Sequence, residues 1–185
     1  MTLEKTIDAL DKKFAAQELA QDAALQQSRL VIRDCAKAIR HLHTGHSVEA
    51  HAVVKTLDAD VKKLQKAAGE DFQHIATSAY QEYAEIKCLM ALLEKDELPS
   101  PTDLGIDPLS YLAGLADCVG ELRRSLQLAL KDGKKKDAEY LFEKMNYIYD
   151  NLMILKYSSS LVGPLKRKQD MIRSQVEYAR SEMLR

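Results

Sequence analysis

Apolar residues recur every three or four positions along most of this chain, and Gly or Pro marks the breaks between one such run and the next. That period matches one face of an α-helix, so the chain is constrained to a bundle of amphipathic helices. In residues 3–43, Leu3, Ile7, Leu10 and Phe14 set a stripe that Val31, Cys35, Ala38 and Leu42 resume. The stretch between them, 15–24, holds mostly Gln and Ala, which predicts a first half that projects as a partly exposed arm. Gly45 would end this helix and Ser47 would cap the next, residues 48–68, with Val54, Leu57, Val61 and Leu64 as its stripe. A third helix is expected over 71–93, after which Pro99, Pro101, Gly105 and Pro108 make the one substantial loop. Helices over 108–131, 135–156 and 164–184 follow, separated by Asp132-Gly133 and by a linker at 158–163. No stretch alternates with the period of two that a half-buried strand requires. The expectation is an all-α, single-domain bundle of six to seven helices over residues 1–185. The first and last helices are weakly apolar, which predicts packing completed by another subunit.

Charge and cysteine use narrow the function classes. The net charge of −1 supplies no global field to draw in nucleic acid, so any phosphate contact must come from local segregation of charge. Cys35, Cys88 and Cys118 are odd in number and far apart, which opposes a zinc ribbon or disulfide framework and suits a reducing compartment. Residues 1–5 are charged rather than apolar, and no run approaches the ~18 apolar residues of a membrane span. A cytoplasmic protein with no membrane partner is expected.

Two acidic pairs stand out. Asp117 and Glu121 interrupt the apolar pattern of the fourth long helix, between Gly114 and Gly120. Four residues turn the helix by about 40° net, so both carboxylates project side by side. Glu82 and Glu85, three apart in the third helix, also share a face. Antiparallel packing of these helices across the Pro99 loop would bring the pairs face to face. Four converging carboxylates repel, and a divalent cation is the usual means of neutralising them; ligation by oxygen alone favours Mg²⁺ or Mn²⁺ over zinc. Spacing also admits a plainer reading, in which the acids are solvated or paired with Lys87, Arg123 or Arg124. His41, His43, His46 and His51 satisfy no metal-ligand spacing and read as a polar helix end. Lys166-Arg167-Lys168 and the Lys131 to Lys136 cluster read as solvated helix ends, with phosphate contact as the lesser alternative. Neither acidic pair contains the ExxH of a di-iron bundle, and no nucleophile or phosphate-loop motif is present.

Residues 111–124, Tyr-Leu-Ala-Gly-Leu-Ala-Asp-Cys-Val-Gly-Glu-Leu-Arg-Arg, closely resemble a segment of the translin superfamily that reads roughly YLLGLADLTGELMR. Gln81-Glu82-Tyr83-Ala84-Glu85 is similar to the QEYVE segment of its catalytic branch, translin-associated factor X. Ala38 to His43, Tyr147 to Asp150 and Leu165 to Asp170 extend the likeness over most of the chain. The resemblance implies about seven helices, assembly into a closed homo-octameric shell, and binding of RNA, single-stranded or in short duplex. It further implies a Mg²⁺-dependent endoribonuclease site, with Glu82, Glu85, Asp117 and Glu121 as both catalytic residues and metal ligands. His74, Arg123 and Arg124 are candidates for the RNA backbone, from their nearness in sequence to these acids. Ala113, Cys118, Val119 and Arg123 depart from the family pattern. The alternative is a non-catalytic RNA-binding shell, in which the acids are vestigial or structural.

Overall fold

The computed structural model describes residues 2–184; Met1 and Arg185, the ends of the expected domain, lie outside the described residues. Among these residues eight helices and no strand are found. Six long helices are those the apolar stripes demand: α1 (Leu3–His43), α2 (Ser47–Ala68), α3 (Gln73–Glu94), α5 (Pro108–Lys131), α6 (Lys135–Leu152) and α8 (Leu165–Met183). The other two are single turns, α4 (Pro101–Leu104) inside the proline loop and α7 (Ser159–Val162) inside the expected linker. Pro101 sits in the first turn of α4, where its missing N–H is no loss. Ser100 and Asp103 close that turn with a reciprocal capping box. Ser47, expected as a cap, is instead the first residue of α2. The expected helix over 135–156 stops at Leu152, because Gln169 of α8 donates its side-chain N–H to the carbonyls of Leu152 (2.6 Å) and Leu155 (3.0 Å). Those bonds satisfy carbonyls at the helix end and release the chain into the turn before α7.

α3 lies at the centre. Ala76, Tyr80, Tyr83, Ile86, Leu89 and Met90 bury it on several sides, with α1 and α2 packed on one flank and α5 on the other. α5 in turn carries α6 and α8. α3 and α5 run parallel, not in the antiparallel arrangement that would have set the acidic pairs face to face across the Pro99 loop. Ser110 stands opposite Thr77, whose carbonyl accepts its hydroxyl at 3.5 Å, and Gly114 stands opposite Gln81 and Glu85. The connection between Glu94 and Pro108 is long enough to return to the start of α3, and it does so beside α2, where Gln65 Nε2 donates to Gly105 O at 2.6 Å. Asp107 then caps α5 by accepting from Ser110 N at 2.9 Å.

The first half of α1 stands clear of this body, as its composition predicted. Leu3, Ile7, Leu10 and Phe14 are exposed, and Ala24 is the first buried residue of the helix. No helix among the described residues is long and apolar enough to cross a membrane.

Candidate active site

Gly114 decides how the acids are brought together. A Cβ there would press on the Gln81 carbonyl oxygen and stand 2.7 Å from Ala84 Cβ and 2.9 Å from Glu85 N. Glycine alone lets the α5 backbone rest on α3 at this level, one turn before Asp117. The parallel register then sets Asp117 and Glu121 beside Glu82 and Glu85, and each α3 acid feels the charge of both α5 acids. Gly120 is different: nothing lies within 4 Å of where its Cβ would be. Only helix propensity acts at that position, so Gly120→Ala is expected to raise stability by about 1 kcal/mol in thermal or denaturant melts.

The four carboxylates fall into two kinds. The α5 pair is held. Lys168 of α8 places its ammonium on both oxygens of Asp117, and Gln81 donates to the same carboxylate. His43, at the end of α1, places its buried imidazole on Glu121, and Arg124 lies 4.0 Å from the same oxygen. The His43 bond, more than any other contact, holds the Glu121 carboxyl below its usual range. The α3 pair is not held. Among the described residues neither Glu82 nor Glu85 has a hydrogen-bond or ion-pair partner, and Lys87 is drawn away to Asp58 of α2 at 3.1 Å. Burial, followed by the charge of Asp117, pushes the Glu82 carboxyl up. Glu85 is 7% exposed; burial first, and then Glu82, Asp117 and Glu121, push its carboxyl up to about 8.

In this arrangement no three His, Cys, Asp or Glu side chains among the described residues converge closely enough to hold an ion. The donor chemistry nevertheless fits a hard divalent cation. Four oxygen donors share one electrostatic environment, two of them lack a partner, and an ammonium already stands among them. The three cysteines are free and buried, and burial pushes the Cys88 thiol up to about 12, so none is a competing soft ligand.

The other expected residues divide. Arg124 is 58% exposed beside Glu121 and remains available to a phosphate. Arg123 has a different role from the expected one. It reaches Glu182 of α8 at 2.5 Å and Gln175 at 3.1 Å, with its guanidinium 5.0 Å from the Tyr178 ring. Its position on the α8 side of α5 makes it a clamp between those helices. His74 is exposed at the start of α3, against Phe72, about 12 Å along the helix axis from Glu82. His43 and Lys168 were missed as site residues, although the helical frame carried a signal for both. Lys168 lies three after Leu165 and four before Ile172, and His43 four after Ile39, so each continues a buried stripe.

A sequence model of the Translin family matches residues 3–180. Uncharacterized protein MJ0175 of Methanocaldococcus jannaschii is 30% identical over 174 residues, which cover 92% of this chain and 78% of that protein. Among solved structures, AfC3PO in complex with duplex RNA is 27% identical, with a TM-score of 0.89 over 97% of this chain and 95% of that one. Apo-NeC3PO, at 19% identity, has the same fold, with a TM-score of 0.89 over 100% of this chain and 97% of its own.

Proposed function

The chain belongs to the translin family, and from that premise we propose that it is a divalent-metal-dependent endoribonuclease that binds RNA within a homo-oligomeric shell. The observation that carries this reading is Glu85. A buried carboxylate with no internal partner, set among three others, is a cost that the fold does not require. A bound cation would offset it. Glu82, Glu85, Asp117 and Glu121 would hold Mg²⁺, or Mn²⁺ in its place. The metal, when bound, supplies Lewis-acid activation of water and neutralises charge at the scissile phosphate. His43 fixes the orientation of the Glu121 carboxylate, and Gln81 does the same for Asp117. Arg124, exposed at the rim, would take a phosphate oxygen of the RNA backbone. The solved AfC3PO complex with duplex RNA supports RNA as the ligand class. The exposed stripe from Leu3 to Phe14 supports self-association, with a second copy covering it, and a homo-octamer is the closed form we propose.

A second reading has an observation of its own. Lys168 on Asp117 and His43 on Glu121 leave no three ligands converged among the described residues, which favours a non-catalytic RNA-binding shell. One experiment separates the two. Purified protein is expected to cleave an RNA oligonucleotide in Mg²⁺, to stop in chelator, and to retain the RNA in both, more weakly as salt rises. A matched Asp117→Asn preparation excludes contaminating nuclease. Retention without cleavage by the wild type in Mg²⁺ would establish the non-catalytic shell instead.

A further inference from the structure

Lys168 comes from α8, far in sequence from both acidic pairs, yet its ammonium lies on Asp117. The two side chains are about equally shielded, at 19% and 18% exposure, so solvent screens the pair little. The same ammonium bears on Glu82 and Glu85, where it opposes the burial and like charge that push their carboxyls up. Gln81 supplies a second donor to Asp117, whose oxygens are therefore already committed. A hard cation ligated by Asp117 needs lone pairs that now point at Lys168.

We propose that Lys168 is a resident counter-cation, which a divalent metal must displace from Asp117 to enter the site. The inference rests on the metal-site reading above. It makes Lys168 a positioning residue that sets metal affinity by competition: the ammonium neutralises the carboxylates when no ion is bound and withdraws when one arrives. Lys166 and Arg167, its exposed neighbours, have no such contact with the acids among the described residues. A purely structural lysine, pinning α8 to α5, would behave differently on removal, because its loss would loosen the helices and weaken metal binding.

The test is calorimetric titration of Mn²⁺ into the full chain as wild type, Lys168→Met and Lys168→Arg, with melting curves of each in chelator. Lys168→Met is expected to bind Mn²⁺ roughly tenfold or more tightly, the worth of one charge-assisted hydrogen bond. Its metal-free melting temperature should fall, and the rise on adding Mn²⁺ should exceed that of wild type. Lys168→Arg, which keeps the charge, should stay near wild type. If Lys168→Met fails to fold, Lys168→Gln takes its place with a neutral donor and the same expected direction. Equal or weaker Mn²⁺ binding by the folded neutral variant, beside a wild type that binds, overturns this inference and leaves the metal reading standing. Absence of Mn²⁺ binding in every variant overturns both.

Discussion

Glu85→Gln is expected to remove RNA cleavage while making the metal-free protein more stable at alkaline pH. The two effects have one cause. The Glu85 carboxyl is ordinary in the unfolded chain, near 4.5, and is pushed up to about 8 by burial and by its three acidic neighbours. Between those values the folded protein holds a proton that the unfolded chain has lost, so stability falls as pH rises from 4.5 and the full penalty is present above about 8. A neutral amide escapes that penalty. On the order of 1–3 kcal/mol should be recovered at pH 8.5, and almost nothing at pH 4. That gain corresponds to several degrees in melting temperature for a chain of this length. Cleavage should drop by about 100-fold or more, because the amide cannot serve as an anionic ligand beside the scissile phosphate. Melting curves in chelator at both pH values, beside a cleavage assay in Mg²⁺, measure the two effects on one preparation. A variant that is less stable than wild type at pH 8.5, or that cleaves at the wild-type rate, would contradict the account.

Gly114→Ala carries the second large effect. One methyl group is added where the Gln81 carbonyl and the backbone N of Glu85 already stand, and neither can swing aside as a flexible side chain would. α3 and α5 would have to separate along their contact, at a cost of about 3 kcal/mol. The melting temperature should fall by roughly 6–12 °C. Any protein that still folds should bind metal weakly, since the same separation moves Asp117 from Glu85. Gly120→Ala, six residues further along the same helix, is the internal control with the opposite sign. Equal melting temperatures for the two alanine variants would remove Gly114 from its role in setting the site.

These residues also mark what a linear reading can and cannot give. Periodicity reports which face of a helix is buried, and it identified all six long helices from residues such as Val54, Leu57, Met145 and Ile148. It does not report direction. The residues from 95 to 107 would serve a hairpin or a return crossover, and only the packed structure shows that the chain doubles back beside α2. The acids were legible because each pair shares a helix face and resembles a known segment. Lys168 and His43 were harder because each sits in a polar run, Lys166 to Lys168 and His41 to His51, that reads as solvent-facing. Their stripe positions were visible, but which side chain completes a site on another helix is a tertiary fact. Arg123 shows the converse, since closeness in sequence to Glu121 suggested a shared task, yet two residues turn the helix by about 200° and set the two side chains on opposite sides.

Lys168 also bears on the order in which the molecule is made. α3 and α5 precede α8 in the chain, so all four acids are synthesised before the ammonium that opposes them. Glu121 already has His43 and Arg124 beside it, and the helix that buries Ile172 and Val176 also brings the positive charge that Asp117 takes. Docking of α8 is therefore drawn by charge as well as by apolar burial. Divalent ions present during synthesis would compete with α8 for Asp117.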